Sequence, residues 1–152
     1  MKSKIMLTLF GCLLLLALSV PTMASGVEIP TSRNPKYTSS INPEYTSAIN
    51  PKYTSSINPQ YTARLDPTKS QWNGYYLFSV DAEIIGIVVR ARNDCMLLFT
   101  TGGTWIGYFI SNGDTGFNWF DNEAEWKGYI LPNGAGNWNL FDTDGEWRGF
   151  TT

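Results

Sequence analysis

From residue 117 the chain reads Phe117-Asn118-Trp119-Phe120-Asp121-Asn122-Glu123-Ala124-Glu125-Trp126-Lys127-Gly128-Tyr129. It then repeats at a period of 21 as Trp138-Asn139-Leu140-Phe141-Asp142-Thr143-Asp144-Gly145-Glu146-Trp147-Arg148-Gly149-Phe150. The same period runs back towards the N-terminus without a gap. Phe78, Phe99, Phe120 and Phe141 form one column, and Gly86, Gly107, Gly128 and Gly149 form another. Two residues before each glycine stand Ile84, Trp105, Trp126 and Trp147, and directly after it stand Ile87, Tyr108, Tyr129 and Phe150. Leu77, Leu98, Trp119 and Leu140 precede the phenylalanines. Five aligned columns over four copies define a tandem repeat.

Each copy has the chemistry of a β-hairpin. A short apolar strand such as Phe117-Asn118-Trp119-Phe120 leads into a polar turn, Asp121-Asn122-Glu123-Ala124, and then into an aromatic-rich second strand. Asp142-Thr143-Asp144-Gly145 and Thr100-Thr101-Gly102-Gly103 repeat the turn. Asn112-Gly113 and Asn133-Gly134 punctuate the joints between copies. One hairpin alone is marginal in water, so four must bury their rings together. A glycine held in a strand marks a place where a neighbouring backbone or ring leaves no room for a Cβ. The expected fold is all-β: four tandem 21-residue hairpins over 68–152 in a closed pseudo-fourfold arrangement. The structural glycines Gly86, Gly107, Gly128 and Gly149 meet at one axis in this expectation, with a collar of Ile84, Trp105, Trp126 and Trp147. Closure is expected because an open stack would leave bare strand edges.

Ahead of the hairpins lies a second, shorter period. Asn34 to Leu65 reads NPKYTSSI, NPEYTSAI, NPKYTSSI, NPQYTARL, and Asp66-Pro67 begins another copy. A proline every eight residues bars a continuous helix and interrupts any sheet ladder. Each octapeptide offers one aliphatic (Ile41, Ile49, Ile57, Leu65) and one tyrosine (Tyr37, Tyr45, Tyr53, Tyr61) to bury, which is little against the entropy of ordering eight residues. The segment 26–67 therefore reads as a disordered or extended linker carrying the repeats of 34–67. A sharper reading makes it a strip whose regularly spaced Tyr and Ile dock into a groove, on a partner or on the chain's own hairpin domain.

Lys2 and Lys4, the apolar run from Ile5 to Val20, and Thr22-Met23-Ala24 have the form of a secretory signal peptide over 1–25. Leu9-Phe10-Gly11-Cys12 resembles a lipoprotein box, although the apolar run continues past Cys12; lipidation of Cys12 stays open. Export implies a secreted, periplasmic or cell-envelope location. With Cys12 in the leader, Cys95 is the lone remaining thiol, so packing must supply the stability, and its neighbours Met96, Leu97 and Leu98 mark it as buried. Beyond the leader the chain has nine basic and thirteen acidic residues, a net charge of −4. That is too weakly acidic to point to nucleic acid or an anionic membrane as partner, and the exported form has no further spanning segment.

Two family resemblances arise from these residues. The set Phe-x-x-x-x-x-Trp-x-Gly-Tyr, repeated four times between Tyr75 and Thr152, resembles the four-fold beta flower domain; the likeness implies four hairpins around a central axis and no assigned activity. Asn137-Trp138-Asn139-Leu140-Phe141-Asp142-Thr143-Asp144-Gly145 followed by Gly149-Phe150 is similar to choline- or glucan-binding cell-wall repeats. In that family aromatic pairs from adjacent hairpins cage the ligand, whereas here the position of Trp138 is held by Tyr75, Met96 and Phe117 in the other copies.

The residues offer no candidate catalytic centre. Histidine is absent, removing the usual proton shuttle and the commonest metal ligand. Glu83, Glu125 and Glu146 repeat in like environments, which would not drive two carboxyls to different pKa values. They read as solvated turn carboxylates, and neither a metal nor a cofactor is expected. The expected role is a non-enzymatic interaction or envelope-associated structural protein, its partner a protein or a cell-envelope glycan. The alternative is a carbohydrate- or choline-binding module using Trp72, Trp105, Trp126 and Trp147 as a ligand platform; the same tryptophans also fit a core role.

Overall fold

A computed structural model describes residues 29–152; the signal peptide expected over 1–25 lies outside the described residues. Eight strands make up the C-terminal part: β1 (Gly74–Ser79), β2 (Ile84–Arg92), β3 (Cys95–Phe99), β4 (Trp105–Ser111), β5 (Phe117–Asp121), β6 (Trp126–Pro132), β7 (Trp138–Asp142) and β8 (Trp147–Thr151). Each pairs antiparallel with the next, and β8 returns to β1 through Leu77↔Thr151, Phe78↔Phe150 and Ser79↔Gly149. The protein is all-β, a closed eight-strand barrel of four consecutive hairpins. Closure satisfies the backbone of both terminal strands and leaves no sheet edge.

The 21-residue period is visible in the hydrogen bonds. At each hairpin tip a backbone pair spans five residues: Ser79 N to Glu83 O, Thr100 N to Thr104 O, Asp121 N to Glu125 O and Asp142 N to Glu146 O, at 2.8 to 3.1 Å. The fourth residue of the turn is Ala82, Gly103, Ala124 or Gly145, and all four have φ between 61° and 83°. The first residue caps the turn with its side chain. Thr100 Oγ1 accepts from Thr104 N at 3.0 Å, and Asp142 Oδ1 accepts from Asp144 N and Glu146 N at 2.9 and 3.0 Å. The joints between copies are wider than the two-residue turn that Asn-Gly suggests. Asn112 N bonds Gly116 O and Asn133 N bonds Asn137 O, with the asparagine side chain capping inside each loop.

The glycine column marks backbone crowding, at a place other than the expected axis. A Cβ on Gly86 would lie 2.9 Å from the carbonyl oxygen of Phe99, and one on Gly107 would lie 2.5 Å from that of Phe120. Gly128 approaches the Phe141 carbonyl more closely still, and Gly149 closes the circle on Phe78. Each glycine thus seals the seam between one hairpin and the next. The physical reason is a bulge in every hairpin: the register shifts at Phe78, Phe99, Phe120 and Phe141, which pair with Ile84, Trp105, Trp126 and Trp147. An extra residue per second strand bends it and brings the glycine onto its neighbour.

Alternation then divides the apolar residues between two layers. Leu77, Val88, Met96, Leu98, Phe109, Phe117, Ile130 and Leu140, drawn from β1 to β7, fill the barrel, with Tyr75, Trp119 and Trp138 against them. The expected tryptophan collar is corrected: its column lies outside this interior, and Trp147 and Ile84 are each 49% exposed. A second cluster lies on the outer face of β2 to β5. Val89, Ala91, Leu97, Phe99, Tyr108, Ile110 and Phe120 meet Ile57 and Leu65 of the octapeptide array there.

The array departs from the extended linker expected of it. Every octapeptide folds into two successive turns, Asn-Pro-x-Tyr and then a 3-10 turn, Ser39–Ile41, Ser47–Ile49, Ser55–Ile57 and Ala63–Leu65. Proline bars a long helix, yet its fixed φ suits the second position of a turn. The asparagine side chain supplies the turn, accepting from the backbone N–H two residues on at 2.8 to 2.9 Å in Asn34, Asn42, Asn50 and Asn58. Each threonine hydroxyl donates to a carbonyl seven residues back: Thr46 to Ser39, Thr54 to Ser47 and Thr62 to Ser55, at 2.8 to 3.0 Å. Asn42 and Asn50 Nδ2 donate to the carbonyls of Pro35 and Pro43 at 3.1 Å. These bonds tie each octapeptide to the one before, and aliphatic burial on the barrel offsets the ordering entropy.

Candidate interaction surfaces

Three of the four candidate tryptophans come together. Trp72, Trp105 and Trp126 all pack, partly buried, against the outer cluster beneath the array. Trp105 Nε1 donates to Gly107 O at 2.8 Å, Trp72 meets Tyr76 edge-on at 5.2 Å, and the Lys36 ammonium lies 5.4 Å from the Trp126 ring centroid. Trp147 stands apart, stacked on Phe150 at 6.4 Å, with Phe150 stacked on Phe78 at 5.3 Å. Trp147 and Ile84, each 49% exposed, flank the partly buried Phe78 and Phe150 at the β8–β1 seam. The column of Trp138, which a cell-wall cage would need, is turned into the barrel: Met96 and Phe117 are buried there, and Phe117 meets Trp138 edge-on at 5.3 Å.

A cleft of about 600 Å³ separates the array from the hairpin tips of the second and third copies, lined by Lys52, Gln60, Tyr61, Lys69, Trp105 and Glu123 among others. Lys52 pairs with Glu123 across it at 3.5 Å, and at the far end of the array Arg33 pairs with Asp114. Asn118 Nδ2, on β5, donates to Arg33 O at 3.0 Å. Polar contacts therefore fix both the first turn and the middle of the array to the barrel.

The most exposed aromatic rings belong to the array itself. Tyr37, Tyr45, Tyr53 and Tyr61 are 71, 68, 68 and 74% exposed. Among the described residues their side chains make no hydrogen bond and no ring contact, while Ile49, Ile57 and Leu65, four positions after Tyr45, Tyr53 and Tyr61, turn towards the barrel. The docking-strip reading of the sequence is thus divided by residue type. Ile49, Ile57 and Leu65 dock in cis, and the tyrosines face out. Reading the chain alone missed this ladder because it counted each tyrosine as something to bury. The available signal was that Asn, Pro, Thr and Ile of the octapeptide each have a turn or core duty, leaving tyrosine as the repeated residue without one.

The ionisable groups are arranged for structure. Burial pushes the Cys95 thiol up to about 12, with Asp94 adding to the shift, so it stays protonated at neutral pH and offers no thiolate nucleophile. Burial likewise raises Tyr108, whose hydroxyl has no hydrogen-bond partner among the described residues. At the tips of the third and fourth copies burial opposes ionisation of Asp121 and Asp142. Even so, Lys127 or Arg148 and the turn N–H groups hold both carboxyls below their ordinary value. The exposed rings and polar groups of these surfaces offer stacking and hydrogen bonds. No protein-family model, curated protein sequence or solved structure matches the chain.

Proposed function

We propose that this is an exported, non-enzymatic interaction protein of the cell envelope, in which the barrel serves as a rigid clamp for the octapeptide array and the array presents its tyrosines to a partner. The observation that carries this reading is the outward ladder of Tyr37, Tyr45, Tyr53 and Tyr61, each more than two-thirds exposed in an otherwise structurally committed repeat. Large rings held in water at repeated positions contribute nothing to the core, and exposed aromatics are the residues that binding surfaces favour. Export rests on the leader-like residues Lys2 to Ala24. The resemblance of the repeat to the four-fold beta flower brings no activity with it.

The test compares the wild-type protein with a variant in which all four tyrosines are alanine. Envelope preparations should retain the first and release the second, with identical circular dichroism spectra and melting temperatures. Equal retention of both would refute the reading. The alternative of a choline- or carbohydrate-binding tryptophan platform rests on Trp147, the one candidate tryptophan left half open; its signature would be a fluorescence response to choline or glycans that Trp147→Ala abolishes.

A further inference from the structure

We propose that the tyrosine ladder binds an uncharged, linear polysaccharide, its rings stacking on the apolar faces of successive or regularly spaced sugars. This inference rests on the ladder being the interaction surface and names the class of its partner.

Three observations select that class. The first is charge. The residue preceding each tyrosine is Lys36, Glu44, Lys52 or Gln60, so the strip has no single sign. Of its three cations, Lys36 lies over Trp126 and Lys52 pairs with Glu123, leaving Arg64 alone at the C-terminal end. A nucleic acid or acidic polymer would need a continuous cationic track beside the rings, and none runs along the ladder.

The second is the setting of the rings. Each tyrosine is separated from the next by exposed polar or small residues, Ser39 and Ser40, Ser47 and Ala48, Ser55 and Ser56. A protein interface concentrates its aromatics in a contiguous patch that desolvates as a whole. Isolated rings among hydroxyls suit a pyranose chain, whose C–H faces stack while its hydroxyl rim stays hydrogen-bonded.

The third is regularity with rigidity. Asparagine and threonine bonds fix each octapeptide to its predecessor, and Ile57 and Leu65 are anchored in the outer cluster. The rings are therefore ordered before any ligand arrives, which removes part of the entropic cost of binding. Four weak, equally spaced contacts on one rigid strip gain affinity together against a polymer with its own repeat.

The experiment uses the whole protein with insoluble cellulose, chitin and mannan in sedimentation assays, and with soluble β-1,4-linked glucose and N-acetylglucosamine hexamers in calorimetry. Retention on at least one neutral glycan is expected, unaffected by added salt. Each Tyr→Ala substitution should weaken it about fivefold, with losses multiplying across the ladder, while Tyr→Phe changes it less than about twofold. Heparin and a single-stranded oligonucleotide should not bind. No retention on any of the three polysaccharides, or equal retention of the four-alanine variant, overturns the inference. Envelope fractions separate this failure from that of the parent reading. Ladder-dependent retention that protease abolishes and glycan digestion spares makes the partner a protein, sinking the glycan while leaving the ladder in place. Retention indifferent to the tyrosines sinks both.

Discussion

Truncating the aliphatic residue of each octapeptide to alanine, one at a time, should give a graded loss of stability, although the four sites are equivalent in sequence. Ile57 and Leu65 are each 1% exposed and belong to the outer cluster, Ile49 is partly buried against it, and Ile41 lies outside it. Removing a fully buried branched side chain costs roughly 2–4 kcal/mol, from lost transfer energy and from the cavity left behind. Ile57→Ala and Leu65→Ala should each fall in that range, Ile49→Ala near about 1 kcal/mol, and Ile41→Ala below that. For a folded unit of this size, roughly 4 °C in melting temperature corresponds to each kcal/mol, so the two deep sites should each lower it by about 10–15 °C. Thermal unfolding followed by tryptophan fluorescence suits the test, because Trp105 and Trp126 flank the docked residues. If the array were a free linker, all four substitutions would be silent. Four equal effects below about 0.5 kcal/mol would refute the docking argument.

Gly107→Val should cost about 2–3 kcal/mol, since its Cβ would meet the Phe120 carbonyl oxygen, a backbone atom that cannot step aside; an unchanged melting temperature would show that the seam is not crowded. Tyr108→Phe should be neutral or stabilising by up to about 1 kcal/mol, because it deletes a buried hydroxyl that has no partner among the described residues. A clear loss in denaturant unfolding would mean the hydroxyl is satisfied. Ala124→Gly should stabilise by roughly 0.5–1 kcal/mol by relieving a φ of 65° at a non-glycine residue, as read from the same unfolding curves. The Thr68 hydroxyl, Lys69 and the Thr68 N–H hold the Asp66 carboxyl near pKa 2, against an ordinary 3.8. Its folded pKa is depressed, so its contribution is present above about pH 4 and lost as pH falls towards 2. Asp66→Asn should flatten that acid limb by at most about 1 kcal/mol, given the solvent around the pair.

How far the sequence discloses this fold depends on what each residue answers to. The glycine column was legible because backbone crowding admits no other side chain at Gly86, Gly107, Gly128 and Gly149. The bulge that causes the crowding was not, because the extra residue is Ile85, Ile106, Lys127 or Arg148 and no chemistry is common to them. The octapeptide period was plain, yet its order depends on hydrogen bonds reaching back seven residues and on a docking face in a later part of the chain. Composition registers neither. The tryptophan column stayed ambiguous for a related reason: beneath the array it is covered at Trp105 and Trp126, and beyond it open at Trp147.

What decides which part of a pseudo-fourfold barrel the array covers lies in the columns that break the symmetry. Equivalent positions in the first strand of each copy are Tyr76, Leu97, Asn118 and Asn139, and in the second strand Val89, Ile110 and Leu131, with Thr152 just past the end of β8 in the fourth copy. Leu97, Val89 and Ile110 are 0, 1 and 2% exposed, all in the outer cluster with Ile57 and Leu65. In the third copy the outward leucine has become Asn118, fully buried and donating to the Arg33 carbonyl where the array begins. Asn139, one copy further on, has no array above it and pairs across the sheet with Leu131 and Phe150. The aliphatic positions place the docked end of the array and the first asparagine its start. The barrel's glycines and aromatics can stay nearly uniform because they serve closure, while the outward positions of β2 to β5 are free to diverge and specify what lies on them. That division of labour leaves the tyrosines outside both tasks, so substituting them tests binding without disturbing either closure or docking.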